Sequence, residues 1–382
     1  MTEIYFDNGA TTRTFPEVRE IMSEVMDIEY GNPSSMHRKG YQAEQYVKEA
    51  REILARSLKV EPKEIYFTSG GTEANNMALI GAAMANKRSG KHIISTCIEH
   101  ASVYNPLGFL EEEGFEVTYL PVDQWGIVDP EQLQAALRPD TILVSIMCVN
   151  NEIGAVEPVA EIGQRIKKYN PEIIFHTDCI QAYGKMKCFP KKWKVDLLSV
   201  SGHKIHGPKG VGFLYVKEGT KIKPIIWGGN QQSGMRSGTE NVPGIAGLGC
   251  AARIVYTDHK EKTEHIRQVK DHFIERVMNE LTEVKNNSGE APHIASISFP
   301  GVRSEVLLHA LEEKGIYVSA GSACSSNKPQ ISGTLKGIGL DKTHYESTLR
   351  FSFCIDNTLE EADACVEALK ELLPVLRRFQ RR

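Results

Sequence analysis

Chemistry concentrates in one stretch of the 382-residue chain. In Ser199-Val200-Ser201-Gly202-His203-Lys204-Ile205-His206-Gly207-Pro208-Lys209-Gly210 an apolar run leads into a turn of Gly, His and Pro, and Val211 to Val216 carries the chain out again. Two short buried strands would place Lys204 inside the domain. Glycines at 202, 207, 210 and 212 allow tight backbone geometry and close approach to a ligand. Most lysines are solvated, but one desolvated in such a place has its pKa lowered enough to form a Schiff base. That chemistry points to pyridoxal phosphate (PLP), and the remaining parts of such a site must come from elsewhere in the chain.

The surrounding elements supply them. Thr68-Ser69-Gly70-Gly71-Thr72-Glu73-Ala74-Asn75-Asn76 follows a short strand at 64–67 and precedes a helical run from Met77. Strand, glycine-rich turn and helix N-terminus form a phosphate site from free N–H groups and the helix dipole, and Thr72 adds a hydroxyl. The glycines match neither a dinucleotide fingerprint nor a Walker lysine motif. Other strands end in polar residues: 92–96 before Glu99 and His100, 141–147 before Asn151, and 173–178 at Asp178, with Gln181 three residues on. Helical patterns alternate with these strands, at 37–58, 133–137 and 159–169, so the predicted fold is α/β, a mostly parallel, doubly wound sheet. Ligands bind beyond the C-terminal ends of such strands, which brings Thr72, His100, Asn151, Asp178 and Gln181 to one crevice. Beyond a Gly- and Ser-rich loop at 228–241, a long helical pattern at 266–281 leads into a smaller α+β domain with strands at 294–299, 316–318 and 348–353 and a closing helix at 359–376.

The eight cysteines show no C-x-x-C pair and no metal-ligand spacing, so no metal is expected. With no signal segment after Met1, they are expected to be reduced and the protein cytoplasmic. Cys148 and Cys354 are placed in strands and Cys250 and Cys365 in helices, buried as small hydrophobes. Cys324 alone sits in a long run of small polar residues, 320–333, where an exposed thiol with a neighbouring base becomes a nucleophile. A formal charge of -4 gives no electrostatic case for nucleic acid or a membrane surface, and no apolar run reaches spanning length. The basic tail from Arg377 to Arg382 reads as a solvated end.

Several motifs occur in order: Gly31-Asn32-Pro33-Ser34-Ser35 with His37, Thr68 to Asn76, Glu99-His100, Val149 to Gly154, Ser201 to Gly210, Arg236 to Asn241, and Gly321-Ser322-Ala323-Cys324. With them the chain resembles a cysteine desulfurase of the NifS/IscS type, in the class V aminotransferase group of fold-type I PLP enzymes. The resemblance runs from Tyr5 to Phe353.

It implies that Lys204 carries PLP. Gly71, Thr72, Ser201 and His203 would bind the phosphate, with Thr239 reaching in from the partner of a homodimer. Asp178 would pair with the ring nitrogen, Gln181 with the ring oxygen, and His100 would stack on the ring and move protons. Asn32, Asn151 and Arg350 would hold the substrate carboxylate, and Cys324 would take sulfur from L-cysteine, leaving L-alanine. The implied domains are a large PLP-binding domain at 15–255 and a small one from 1–14 with 256–382. Sulfur would pass to an acceptor protein, an iron–sulfur scaffold or a tRNA-thiolating enzyme. Gln231 to Met235 departs from the usual loop, and the chain ends at Arg382 without the longer tail that docks a scaffold. Two other readings stay open: a selenocysteine lyase or other class V PLP enzyme, which would not need Cys324, and a non-catalytic interaction protein on this fold.

Overall fold

A computed structural model describes residues 3–320 and 332–379. After the short β1 (Ile4–Tyr5), seven strands form the main sheet: β2 (Ile65–Thr68), β3 (His92–Thr96), β4 (Glu116–Leu120), β5 (Thr141–Ser145), β6 (Ile174–Asp178), β7 (Leu197–Ser201) and β8 (Gly212–Val216). Their order is β2-β8-β7-β6-β5-β3-β4, and β8 alone runs antiparallel to its neighbours. The central strands β5, β6 and β7 are buried at every position, as expected of a parallel sheet covered on both faces. On one face pack Val47 and Leu54 of the helix Arg38–Leu58 with Leu248 and Ala251 of the helix Val242–Tyr256; on the other, Met77 and Ala78 of the helix Gly71–Asn86 with Val103 and Leu107 of the helix Ala101–Glu112. His176 in mid-β6 is bonded through Nδ1 to Ser145 Oγ (2.8 Å) and through Nε2 to Ser199 Oγ (2.9 Å). Burial pushes its pKa down to about 3, so it is a neutral, satisfied link between strands.

The chain then builds a second sheet from β9 (Lys285–Asn286) and β10 (Ile294–Ser298). A separate strand, β11 (Ile316–Tyr317), pairs in parallel with β1, and β12 (Ser319–Ala320) and β13 (Thr348–Ser352) complete the second sheet in the antiparallel order β12-β13-β10-β9. Its core gathers Phe6, Phe273, Phe351, Phe353, Val366 and Leu369, with Phe6 and Phe353 edge to face at 4.9 Å. Arg350 sits in the middle of β13, paired in register with Ser296 and Ser319.

Three local expectations change. The helix after β2 begins at Gly71 rather than Met77, because Thr72, Glu73, Asn75 and Asn76 break the apolar pattern while forming its first turns. β5 ends at Ser145, not 147. Cys148 and Cys354 lie just past β5 and β13 instead of within them, yet both are buried.

Candidate active site

The sheet's C-terminal edge sets the site. β2 delivers the chain to Gly70, whose φ of 148° suits glycine, and the sixteen-residue helix Gly71–Asn86 starts there with no side-chain cap. Its first N–H groups therefore lack helical partners. Packing is tight: a Cβ on Gly71 would stand 2.1 Å from Ile180 Cδ1, and one on Gly212 2.9 Å from Gly70 Cα. Glu73 is turned to Arg236, whose Nε donates to Oε1 at 2.8 Å.

At the end of β6, the buried Asp178 carboxylate is held from two sides. Oδ1 accepts from the Ile180 N–H (2.8 Å) and Oδ2 from Asn75 Nδ2 (2.7 Å). Burial pushes its pKa up; the Ile180 and Asn75 hydrogen bonds and the nearby His100 and Lys204 oppose that shift. Asn75 Nδ2 also donates to Ser102 Oγ (2.9 Å), which lies 2.8 Å from His100 Nδ1. The Ser102 N–H donates to the same Nδ1 at 3.1 Å. Two donors on Nδ1 leave the ring proton of neutral His100 on Nε2.

Lys204 ends the 3-10 turn Gly202–Lys204 that follows β7. Its Nζ donates to the carbonyls of Gly9 (2.5 Å) and Ala10 (2.7 Å), so the N-terminal segment forms one wall of the site. Behind it, the buried Lys185 donates through Nζ to the main-chain oxygen of Lys204, and burial with the Lys204 charge lowers its pKa to about 7. Burial and Lys204 likewise lower His203 to about 4. Gln181 Nε2 donates to Gly9 O (2.9 Å), and its Oε1 lies 3.2 Å from Nε2 of the buried His293. Arg350 donates to Asn151 O (2.8 Å) and Asp7 Oδ1 (2.9 Å), while its buried Nε has no hydrogen-bond partner among the described residues.

His100, Asp178, Gln181, Lys204 and Arg350, with Gly71 and Thr72 of the helix N-terminus, line one cavity of about 230 Å³. A more open one of about 450 Å³ adjoins it over Gly70 to Glu73, Ser201, His203 and Lys209. The family profile described as aminotransferase class-V matches residues 4–365. This chain is a class-V aminotransferase family member. It is similar to the cysteine desulfurase IscS of Dictyoglomus turgidum, 43% identical over 378 residues that cover 98% of this chain and 95% of that protein. Among solved structures it is similar to a NifS-like protein, with a TM-score of 0.92 and 38% identity over 98% of this chain and 100% of that one. It is also similar to SspA in complex with cysteine, with a TM-score of 0.83 and 35% identity over 94% of this chain and 100% of that one.

Of the residues singled out from sequence, this class-V chain brings Gly71, Thr72, His100, Asn151, Asp178, Gln181, Ser201, His203, Lys204 and Arg350 to the cavity. Asn32 and Thr239 are exposed and do not line it; Asn32 Oδ1 instead accepts from the Ser34 N–H at 2.9 Å. Cys324 lies outside the described residues. Sequence reasoning missed the supporting roles of Asp7, Gly9, Asn75, Ser102, Lys185 and His293. Asn75 carried one signal: it recurs on the same helical face as the buried Ala74 and Ala78, where an amide needs a partner.

Proposed function

We propose that this chain is a PLP-dependent cysteine desulfurase, converting L-cysteine to L-alanine and taking the sulfur onto Cys324 as a persulfide. One arrangement carries the reading: the Lys204 amine, the buried Asp178 carboxylate and the uncapped N-terminus of the helix Gly71–Asn86 line the same cavity. That donor set fits PLP. Gly71, Thr72, Ser201 and His203 would hold the phosphate by N–H groups and polar side chains, Asp178 the ring nitrogen, and Gln181 the ring oxygen. Lys204 would hold the aldehyde carbon. When bound, PLP supplies an electron sink for charge that develops at the substrate Cα.

The chain's own residues do the rest. Asp178, anchored by Asn75 and Ile180, would present its carboxylate to a protonated ring nitrogen. Lys204 moves the Cα proton at Nζ, and His100 exchanges a proton at Nε2. Arg350, with Asn151 and Asn32, binds the substrate carboxylate; its guanidinium is already oriented by Asp7 and the Asn151 carbonyl. The Cys324 thiolate attacks the substrate sulfur, the S–Cβ bond breaks with its electron pair passing to the three-carbon fragment, and that fragment takes up a proton at Cβ and leaves as alanine. An acceptor protein, an iron–sulfur scaffold or a tRNA-thiolating enzyme, then takes the sulfur by exchange at sulfur. We assign 15–255 to the cofactor domain and 1–14 with 256–382 to the small one, in a cytoplasmic homodimer whose second copy brings Thr239 to the phosphate. Among the described residues no helix is long and apolar enough to cross a membrane.

Borohydride reduction of the yellow protein, followed by peptide mass mapping, tests the assignment of the amine. The pyridoxyl mass is expected on Lys204; finding it on Lys185 would overturn the assignment.

A further inference from the structure

Two residues beyond Lys204, the chain places a second group of donor side chains that the desulfurase chemistry does not use. His206 follows the Lys204 turn with a φ of 62°, a left-handed conformation for a non-glycine residue. Its N–H donates to Thr12 Oγ1 at 2.7 Å, and its buried ring stacks on Phe15 with centroids 4.3 Å apart. Nδ1 lies 2.8 Å from the main-chain oxygen of Arg13. A carbonyl oxygen only accepts, so Nδ1 carries the proton and Nε2 of the neutral ring presents its lone pair. A histidine ligand is commonly oriented by a carbonyl in this way.

Cys354 and Asp356 face it from the turn after β13. The thiol is buried and the carboxylate is exposed. Asn357 stiffens that turn: its Oδ1 accepts from the Cys354 N–H (2.9 Å) and Asn8 Nδ2 (3.1 Å), and its Nδ2 donates to Glu361 Oε2 (3.0 Å). One ligand atom each of His206, Cys354 and Asp356 falls within 4.8 Å of the others.

We propose that His206, Cys354 and Asp356 form a zinc site that ties the loop carrying Lys204 to the strand carrying Arg350. Imidazole, thiolate and carboxylate together suit the borderline-soft Zn²⁺, and hard oxygen-seeking cations such as Mg²⁺ or Ca²⁺ would not choose a thiolate. Three protein ligands leave the fourth tetrahedral position, on the exposed Asp356 side, for water. Binding exchanges the Cys354 thiol proton for the metal and releases it to solvent. Because the ligands stand at 206, 354 and 356, no local spacing reveals them. The site is independent of the desulfurase reading.

The test is Zn²⁺ binding to the PLP-loaded full chain in a Cys324→Ser background, which removes the other reactive thiol. A chromophoric chelator competition is expected to give one tight zinc per chain. Co²⁺ substituted for Zn²⁺ is expected to give a thiolate-to-cobalt charge-transfer band that Cys354→Ser abolishes. Asp356→Asn changes only an exposed side chain and guards against misfolding of the cysteine variant; it is expected to weaken zinc binding at least about tenfold. No stoichiometric zinc, or zinc binding that neither substitution changes, would overturn the proposal.

Discussion

Asn75 tests how the Asp178 carboxylate is kept charged. Asn75→Ala removes the 2.7 Å hydrogen bond to Asp178 Oδ2 and the 2.9 Å bond to Ser102 Oγ in one step. Among the described residues Asp178 then keeps only the Ile180 N–H, in a buried place where burial already pushes its pKa up. A hydrogen bond to a charged group contributes about 1.5–3 kcal/mol, and its loss pushes the Asp178 pKa further up. In the proposed assignment the carboxylate would hold a protonated ring nitrogen only while ionised, so that energy would be lost from cofactor binding. PLP should bind the variant about 10- to 100-fold more weakly, as read by titrating the apoprotein and following visible absorbance. Alanine formation at saturating PLP should fall as well, because the ring withdraws electrons less effectively. Asn75→Asp places a second carboxylate against the first and should be worse than alanine. An Asn75→Ala protein that melts like wild type and binds PLP within about twofold of it would overturn the anchoring role given to Asn75.

Glu99 gives a pH signature. Its Oε1 accepts from Thr96 Oγ1 and the Met147 N–H, both at 2.9 Å, its buried Oε2 has no hydrogen-bond partner among the described residues, and burial pushes its pKa up to about 8. The folded value exceeds the unfolded one of about 4.3, so stability from this group is full below about pH 4 and is lost as the pH climbs through about 8. Glu99→Gln stays neutral, so urea melts should show the variant gaining on wild type between pH 5 and 9; parallel profiles would contradict this. Arg350→Lys keeps the charge but loses the forked donor geometry, and KM for L-cysteine should rise about tenfold or more, measured by alanine release; an unchanged KM would remove Arg350 from substrate binding. Lys204→Ala should lose covalently held PLP and turnover together, with absorbance and product assays as the readouts.

Much of this was legible because parallel strands announce themselves. Runs such as Thr141 to Met147 are apolar without alternation, and the polar residues that end them, Asn151 and Asp178, mark the edge where ligands bind. The helix start at Gly71 was hidden because its first turns carry polar side chains committed to Asp178, Arg236 and Ser69 instead of an apolar stripe. His293 and Lys185 were invisible for another reason. Each is a polar residue whose partner, Gln181 or the Lys204 carbonyl, is distant or non-local, and no periodicity encodes such a contact. His176 shows the converse: a histidine on a strand that ends at the site is only a satisfied core residue between two serines.

The most direct test of the central proposal is the product balance from L-cysteine with a thiol reductant, comparing wild type with Cys324→Ser after the yellow absorbance has been confirmed in both. Equimolar alanine and sulfide from wild type, and neither from the still-yellow variant, is the expected result. Alanine and sulfide formed at the wild-type rate by Cys324→Ser would contradict it, because sulfur would then leave the substrate without passing through that thiol.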